Sequence, residues 1–514
     1  MHLNKRLIAR FLLALPLLAG SLALAQQPGA PAVLEPPVKT EAADWSPLDE
    51  DWMTVEIGGS RVGWMSTLVD QSGDRIRTRT SSKMSIGRGA ATPVTIAIDS
   101  TFLETADGKP LSMSFTQDMA ASVIETKWEF KGDKIVQTST QSGRTTTREF
   151  DKPTVEWMTP WKADRFAREQ RRAGAAEFKV VSLDPQNGVK PINTATRRDG
   201  DAEYEIDGVK TKVEKWRTIS DINPVEAVEY VDTGGDVVYQ EIPMGVGKIV
   251  MRETTKAEAM ADVPGSGAPE IMAKSFAKPD KPIENSFKSV TAKFKLTARE
   301  GKLPEMPSAG AQRVEMSADG KSAVLTIDIK TPQAASEAEI TDKAFTETST
   351  MVDFDDPLVS KLAARAKGES DAMAKALALR KIVYRHISKK GMATAFASAS
   401  ETARTQTGDC SEHGVLLAAM LRSQGIPSRV ALGLIYAPEF MGEKGIFGWH
   451  MWSQALIDGK WIDLDATLPV TYCASHILTG TASLADGIGA SDMAGIMQLL
   501  GNLDVEVLEV GYAE

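Results

Sequence analysis

The stretch TGDCSEHGVLLAAMLRSQGIPSRV sets Cys410, one of two cysteines in the 514 residues, directly before an apolar run. A thiol is a strong nucleophile once a base removes its proton and a third group orients that base. Of the five histidines, His450 lies in WHMWSQALIDGKWIDLDATLP, together with Asp463 and Asp465. These residue types can carry acyl transfer through a thioester. Sulfur attacks a carbonyl, imidazole shuttles the proton, and a carboxylate fixes the imidazole tautomer.

Two elements must position them. Asp409 followed by Glu412 three residues later reads as a capping box, which makes Asp409 the N-cap and Cys410 the first helical residue. Gly425 and Pro427 end that helix. A thiol at a helix N-terminus sits beside free N–H groups and the positive end of the dipole, so thiolate is favoured. Rapid labelling by iodoacetamide below pH 7 is the expectation. Further on, Asp458-Gly459 between two alternating runs predicts a two-residue hairpin turn. In that register Ile457 faces Lys460, Trp452 faces Asp465 and His450 faces Thr467. His450 and Asp465 then share one face as diagonal neighbours, about 7–8 Å apart at the backbone. Asp463 shares the face but lies one pair nearer the turn, opposite Gln454, so Asp465 is the expected orienter and Trp452 the shield against water. For an oxyanion, the Cys410 N–H is the natural first donor, with Gln406 or an indole N–H of Trp449 or Trp452 as candidate second donors.

Three stretches carry a resemblance: Gly408-Asp409-Cys410 with its helix through to Gly425-Ile426-Pro427-Ser428-Arg429-Val430, then His450-Met451-Trp452, then Trp461-Ile462-Asp463-Leu464-Asp465-Ala466-Thr467. In this order, within a region of roughly 355 to 475, they resemble the transglutaminase-like superfamily. Ala466 stands where the family commonly has proline. The resemblance implies a papain-related α+β core and Cys410, His450 and Asp465 as catalytic residues. It also implies acyl transfer on amide bonds of peptides or proteins, by a protease, amidase or transamidase. No Gly-rich phosphate loop or Ca²⁺ loop stands out, so no cofactor is expected.

A competing pattern uses the second cysteine. Cys410-x-x-His413 and Cys473-x-x-His476 offer four soft ligands of the kind that hold tetrahedral zinc. Their separation is atypical for zinc, and that reading leaves His450 and Asp465 unexplained. A Cys410–Cys473 disulfide would block the nucleophile or regulate it. Either arrangement would suit a non-catalytic envelope-binding or structural protein.

Lys5, Arg6 and Arg10 precede a short apolar stretch ending Ala23-Leu24-Ala25, the layout of a signal peptide cleaved after Ala25. The expected location is the periplasm or the exterior, and no stretch of the mature chain is long enough to span a membrane. Cleavage takes three basic and no acidic residues from 59 Lys+Arg and 69 Asp+Glu, leaving a net charge of −13. An acidic chain without a basic tract has no electrostatic footprint for nucleic acid. The expected partner is a peptide or protein substrate, with a cell-envelope component as one candidate.

Composition and alternation divide the chain further. After the signal, 26–50 is a Pro- and Ala-rich linker and 51–258 is β-rich, with half-buried alternating runs such as Val94, Ile96 and Ile98. Its segments VGWMSTLVD, YEIDGVKTKVEKW and VEYVDTGGDVVYQ resemble the curved β-sheet of lipoprotein-carrier periplasmic domains. A second linker covers 259–283, a small β module 284–350, and the catalytic domain 351–514. Within the last, 357–388 reads as two helices separated near Gly368. The expected fold class is α+β.

Overall fold

Strand alternation builds most of the molecule. In this computed structural model, which describes residues 44–513 apart from 87–93, 119–122, 207, 262–270, 370, 392–396 and 487–493, fourteen strands form one antiparallel sheet. The signal-peptide reading lies outside the described residues, as does most of the first linker. The sheet runs back from Arg144–Asp151 at one edge to Ser46–Ile57, then through Ile249–Glu253 to Glu177–Ser182 at the other. Nearly every neighbour is also the next strand in sequence, so short turns suffice. Ile96 and Ile98 face the core while Asp99 faces water, the two-fold pattern of a sheet buried on one side. Its edge strand docks on the C-terminal region: Arg144 pairs with Asp355 at 2.7 Å and Thr146 donates to Asp486 at 2.5 Å.

A second sheet has four strands, in the order Gln312–Met316, Ser322–Asp328, Ser289–Ala298, Leu503–Tyr512. Its last strand comes from the far end of the chain and pairs along the whole of Ser289–Ala298.

The remaining elements hold the predicted chemistry. Helices Pro357–Ala363, Ala372–His386 and Ala399–Thr405 surround the helix Cys410–Ser423, which lies on a four-stranded antiparallel sheet. That sheet is ordered Lys460–Leu464, Glu443–Ile457, Ser428–Phe440, His476–Ala482. Every residue from Ser411 to Arg422 is buried, so the helix is central rather than amphipathic at a surface. Fully burying Leu416, Leu417 and Leu421 contributes about 1.5–3 kcal/mol each. Gly414 sets the helix-to-sheet distance: a Cβ there would lie 3.3 Å from Met451 Cγ, and its carbonyl accepts from Ser453 Oγ at 2.9 Å. The protein is therefore β-rich α+β, with the predicted helix and hairpin in contact. Among the described residues no helix is long and apolar enough to cross a membrane.

Candidate active site

The cap that presents Cys410 forms as the sequence suggests. Asp409 Oδ1 accepts from the Ser411 N–H at 2.8 Å, while Glu412 Oε2 accepts from the Asp409 N–H at 2.9 Å. Glu412 Oε1 also accepts from the Ala397 N–H at 3.1 Å, tying the preceding loop to the helix start. Gly408 permits this approach, since a Cβ there would fall 2.3 Å from Glu412 Cβ.

The charge state of the thiol differs from expectation. Burial, then the neighbouring Asp409, pushes Cys410 well above the usual thiol range, although the Met451 N–H donates to its sulfur. The helix-terminus effect is worth about 0.3–1 kcal/mol, whereas desolvation and adjacent carboxylates can move a buried group by several pKa units. The second effect wins. At rest Cys410 is a thiol that needs a base.

The hairpin supplies one. Asp458 and Gly459 both have positive φ, 49° and 71°, as a type I′ turn requires. The ladder pairs Ile457 with Lys460 through to Ser453 with Leu464, the predicted register. Beyond Leu464 the chain leaves the ladder, and the Asp465 N–H donates to Thr471 O at 2.7 Å. Arg380 Nε donates to the Asp465 carbonyl at 2.6 Å and its guanidinium also donates to Leu468 O and Val470 O, pinning this departing loop. Asp465 nevertheless reaches His450: Nε2 and Oδ2 are 2.7 Å apart. The Thr467 N–H donates to Oδ1 at 2.7 Å. Burial alone would raise the Asp465 carboxyl, but His450 and His476 outweigh it and hold it well below its ordinary value. An ionised carboxylate only accepts, so His450 Nε2 carries the hydrogen, and Nδ1 is the ring nitrogen not bonded to Asp465.

Thus His450 and Asp465 are joined, and Cys410 is brought against the backbone beside His450. Among the described residues the Cys410 thiol makes no hydrogen bond to the His450 ring. Trp452 stacks on His450 at 6.1 Å between centroids. The two indoles suggested as oxyanion donors are engaged elsewhere, and Gln406 is exposed. Trp452 Nε1 donates to Asp463 Oδ1 at 2.7 Å, Trp449 Nε1 donates to Ser275 O at 3.3 Å, and Gln406 is an exposed helix cap. Asp463 is a tie between sheets, accepting from Gln454 Nε2 at 2.8 Å and the Ala311 N–H at 2.7 Å as well as from Trp452.

The zinc and disulfide arrangements do not form. Both cysteines are free. His413 Nδ1 faces Asp409 O, and Cys473 Sγ lies 3.1 Å from Ser475 Oγ and 3.5 Å from His476 Nδ1. The group that does converge among the described residues is His450, Asp465 and His476, whose donor atoms lie within 4.8 Å of one another. Both imidazoles face the same carboxylate oxygen, at 2.7 and 3.2 Å, so this set is closed by its own hydrogen bonds. His476 joins the carboxylate through a role that sequence reasoning missed. Its signal was the Cys473-x-x-His476 spacing, to which ligand chemistry had been assigned.

Residues 360–466 match the family model of the transglutaminase-like superfamily, a span that contains Cys410, His450 and Asp465. The chain carries a transglutaminase-like domain. Among solved structures, the chain is similar to a candidate cysteine protease of Cytophaga hutchinsonii, with 18% identity over 44% of this chain and 89% of that one and a TM-score of 0.28. It is also similar to a β-barrel-like protein of Brucella abortus with a domain of unknown function, at 11% identity, 40% and 95% coverage and a TM-score of 0.32. A candidate protease of Parabacteroides distasonis shows 12% identity over 71% of this chain and 68% of that one, with a TM-score of 0.17. No curated protein matches the chain.

Proposed function

We propose that the protein is an exported cysteine enzyme that acts on amide bonds of peptides or proteins through a thioester acyl-enzyme, with Cys410, His450 and Asp465 as its catalytic residues. The observation that carries this reading is the buried 2.7 Å bond from His450 Nε2 to Asp465 Oδ2, which leaves Nδ1 as a base on the strand that the Cys410 helix packs against.

As the Cys410 sulfur attacks the carbonyl carbon, its proton passes to His450 Nδ1. The helix-terminal N–H of Cys410 is available to the developing oxyanion. His450 then gives the proton to the leaving nitrogen, the C–N bond breaks, and an amine departs from the thioester. Water or a second amine attacks that thioester while Nδ1 takes its proton. Collapse returns the proton to sulfur and releases an acid or a new amide. Asp465 stays ionised throughout and stabilises the transient imidazolium.

The test is acyl trapping. With p-nitrophenyl acetate as probe, intact mass should show one acetyl group on Cys410, removable by hydroxylamine and absent from Cys410→Ala and His450→Ala. Equal acetylation of Cys410→Ala would overturn the assignment. A casein digest with and without added glycine methyl ester separates the outcomes: new amides indicate transfer, new acids alone indicate hydrolysis. A mature N-terminus at Gln26 would support export; a retained Met1 in the exported fraction would count against cleavage.

A further inference from the structure

His476 lies ten residues beyond the family match, on the strand His476–Ala482 that flanks Ser428–Phe440. It is fully buried, so its hydrogen bonds must be met by protein. Nδ1 stands 2.9 Å from Cys473 O, an oxygen that can only accept, so Nδ1 carries a hydrogen. Nε2 stands 3.2 Å from Asp465 Oδ2. That carboxylate already accepts from His450 and from the Thr467 N–H. A bare Nε2 would set lone pair against lone pair in the dry interior, so Nε2 also carries a hydrogen. The ring is then an imidazolium, and its surroundings fit a cation. Tyr472 stacks on it at 4.3 Å between centroids, Trp452 meets it edge-on at 5.0 Å, and Cys473 Sγ lies 3.5 Å from Nδ1.

We propose that His476 is a positioning residue for the reaction, a buried imidazolium that anchors Asp465 Oδ2 between two rings and partly neutralises the charge that Asp465 presents to His450. This deepens the cysteine-enzyme reading and rests on it for its consequence. The two rings are 5.6 Å apart. A fixed positive charge there opposes a second one on His450, so Cys410 gives up its proton less readily. The charge state agrees with the balance around the ring: burial disfavours the cation, but Cys473 and Asp465 outweigh it and raise His476 to about 10. Cys473, in turn, is raised by burial but lowered further by His476. Other groups facing this cluster are Asp463 on the hairpin, Tyr472 on the loop, Arg380 and Lys390 toward Asp465, and His413 and Cys410 from the central helix.

The full-length protein, labelled with ¹⁵N-histidine, tests this without any substrate. Imidazole nitrogen spectra at pH 7 should show both His476 nitrogens protonated. A singly protonated, neutral His476 would overturn the proposal. His476→Gln keeps a donor toward Asp465 and removes the charge. Coulomb attraction and repulsion at this separation, partly screened by Cys473, predict that iodoacetamide then alkylates Cys410 about tenfold faster at pH 7. An unchanged or slower rate in a folded variant would also overturn it. If the variant does not fold, the wild-type spectrum decides. Neither readout requires acyl transfer, so failure of acetyl trapping would sink the enzyme reading while leaving the charge of His476 measurable.

Discussion

Replacing Asp465 by Asn separates the chemistry from the scaffold. The carboxylate is fully buried and accepts from His450 at 2.7 Å, His476 at 3.2 Å and the Thr467 N–H at 2.7 Å. An asparagine has one oxygen and one NH₂ group, so in either orientation its NH₂ faces a buried donor. Breaking one member of a buried charge pair costs about 3–5 kcal/mol, and a domain of ordinary stability, about 5–15 kcal/mol, survives it. The larger effect falls on rate. Without an ionised acceptor His450 loses the reason to keep its hydrogen on Nε2, and wrong tautomers in such triads lower turnover about 10⁴-fold. The assay is the acetylation rate of Cys410 beside a urea melt. Asp463→Asn is the matched control: it shares the hairpin face, but its carboxylate accepts from Trp452, Gln454 and Ala311. That variant should lose stability while its acetylation rate stays within about threefold, an effect below 1 kcal/mol in the barrier. A rate loss under tenfold in Asp465→Asn, or a larger one in Asp463→Asn, would refute the assignment of the orienting carboxylate.

Two further outcomes follow from the same coordinates. A Cβ on Gly433 would sit 1.9 Å from Ile477 O and 3.1 Å from Trp452 Cη2, so Gly433→Ala should displace the strand that carries His476 and cost about 1–3 kcal/mol in urea unfolding. Gly480→Ala, with nothing within 4 Å, should change stability by less than about 0.5 kcal/mol, and equal losses would show that the close approach is not the cause. Because burial and Asp409 push the Cys410 thiol up, its iodoacetamide alkylation should be slow below pH 7 and rise through the alkaline range as thiolate forms. A rate already maximal at pH 6 would mean that the helix terminus prevails over burial.

The parts of the site that were legible in the sequence are those set by local rules. Asp409 and Glu412 form their cap because both partners lie within one helical turn. The hairpin keeps its register because Asp458-Gly459 fits a type I′ turn, and the register then fixes which side chains share a face. The same reasoning failed once the chain left those elements. Asp465 lies past the last ladder pair, and Arg380, from a helix eighty-five residues earlier, holds the loop that lets it reach His450. The strand Leu503–Tyr512 joins a sheet whose partner lies some two hundred residues away, a pairing that no local pattern encodes.

Charge was the least legible property, because it depends on what surrounds a group in three dimensions. The free N–H groups beside Cys410 are evident from a capped helix, but the desolvation of this half-buried thiol and the reach of Asp409 and Glu412 are not. His476 shows the converse case. Its spacing from Cys473 is plain in the sequence, yet spacing says nothing of where a ring nitrogen points. Only the carbonyl on one side and the carboxylate on the other convert a ligand motif into a buried cation. The same two hydrogen bonds explain why the competing Cys-x-x-His pair does not turn toward Cys410: Nδ1 is taken by its own loop and Nε2 by Asp465. A metal at the Cys-x-x-His set would take one His476 nitrogen, and so would have to displace either the Cys473 carbonyl from Nδ1 or Asp465 from Nε2 before gaining that ligand.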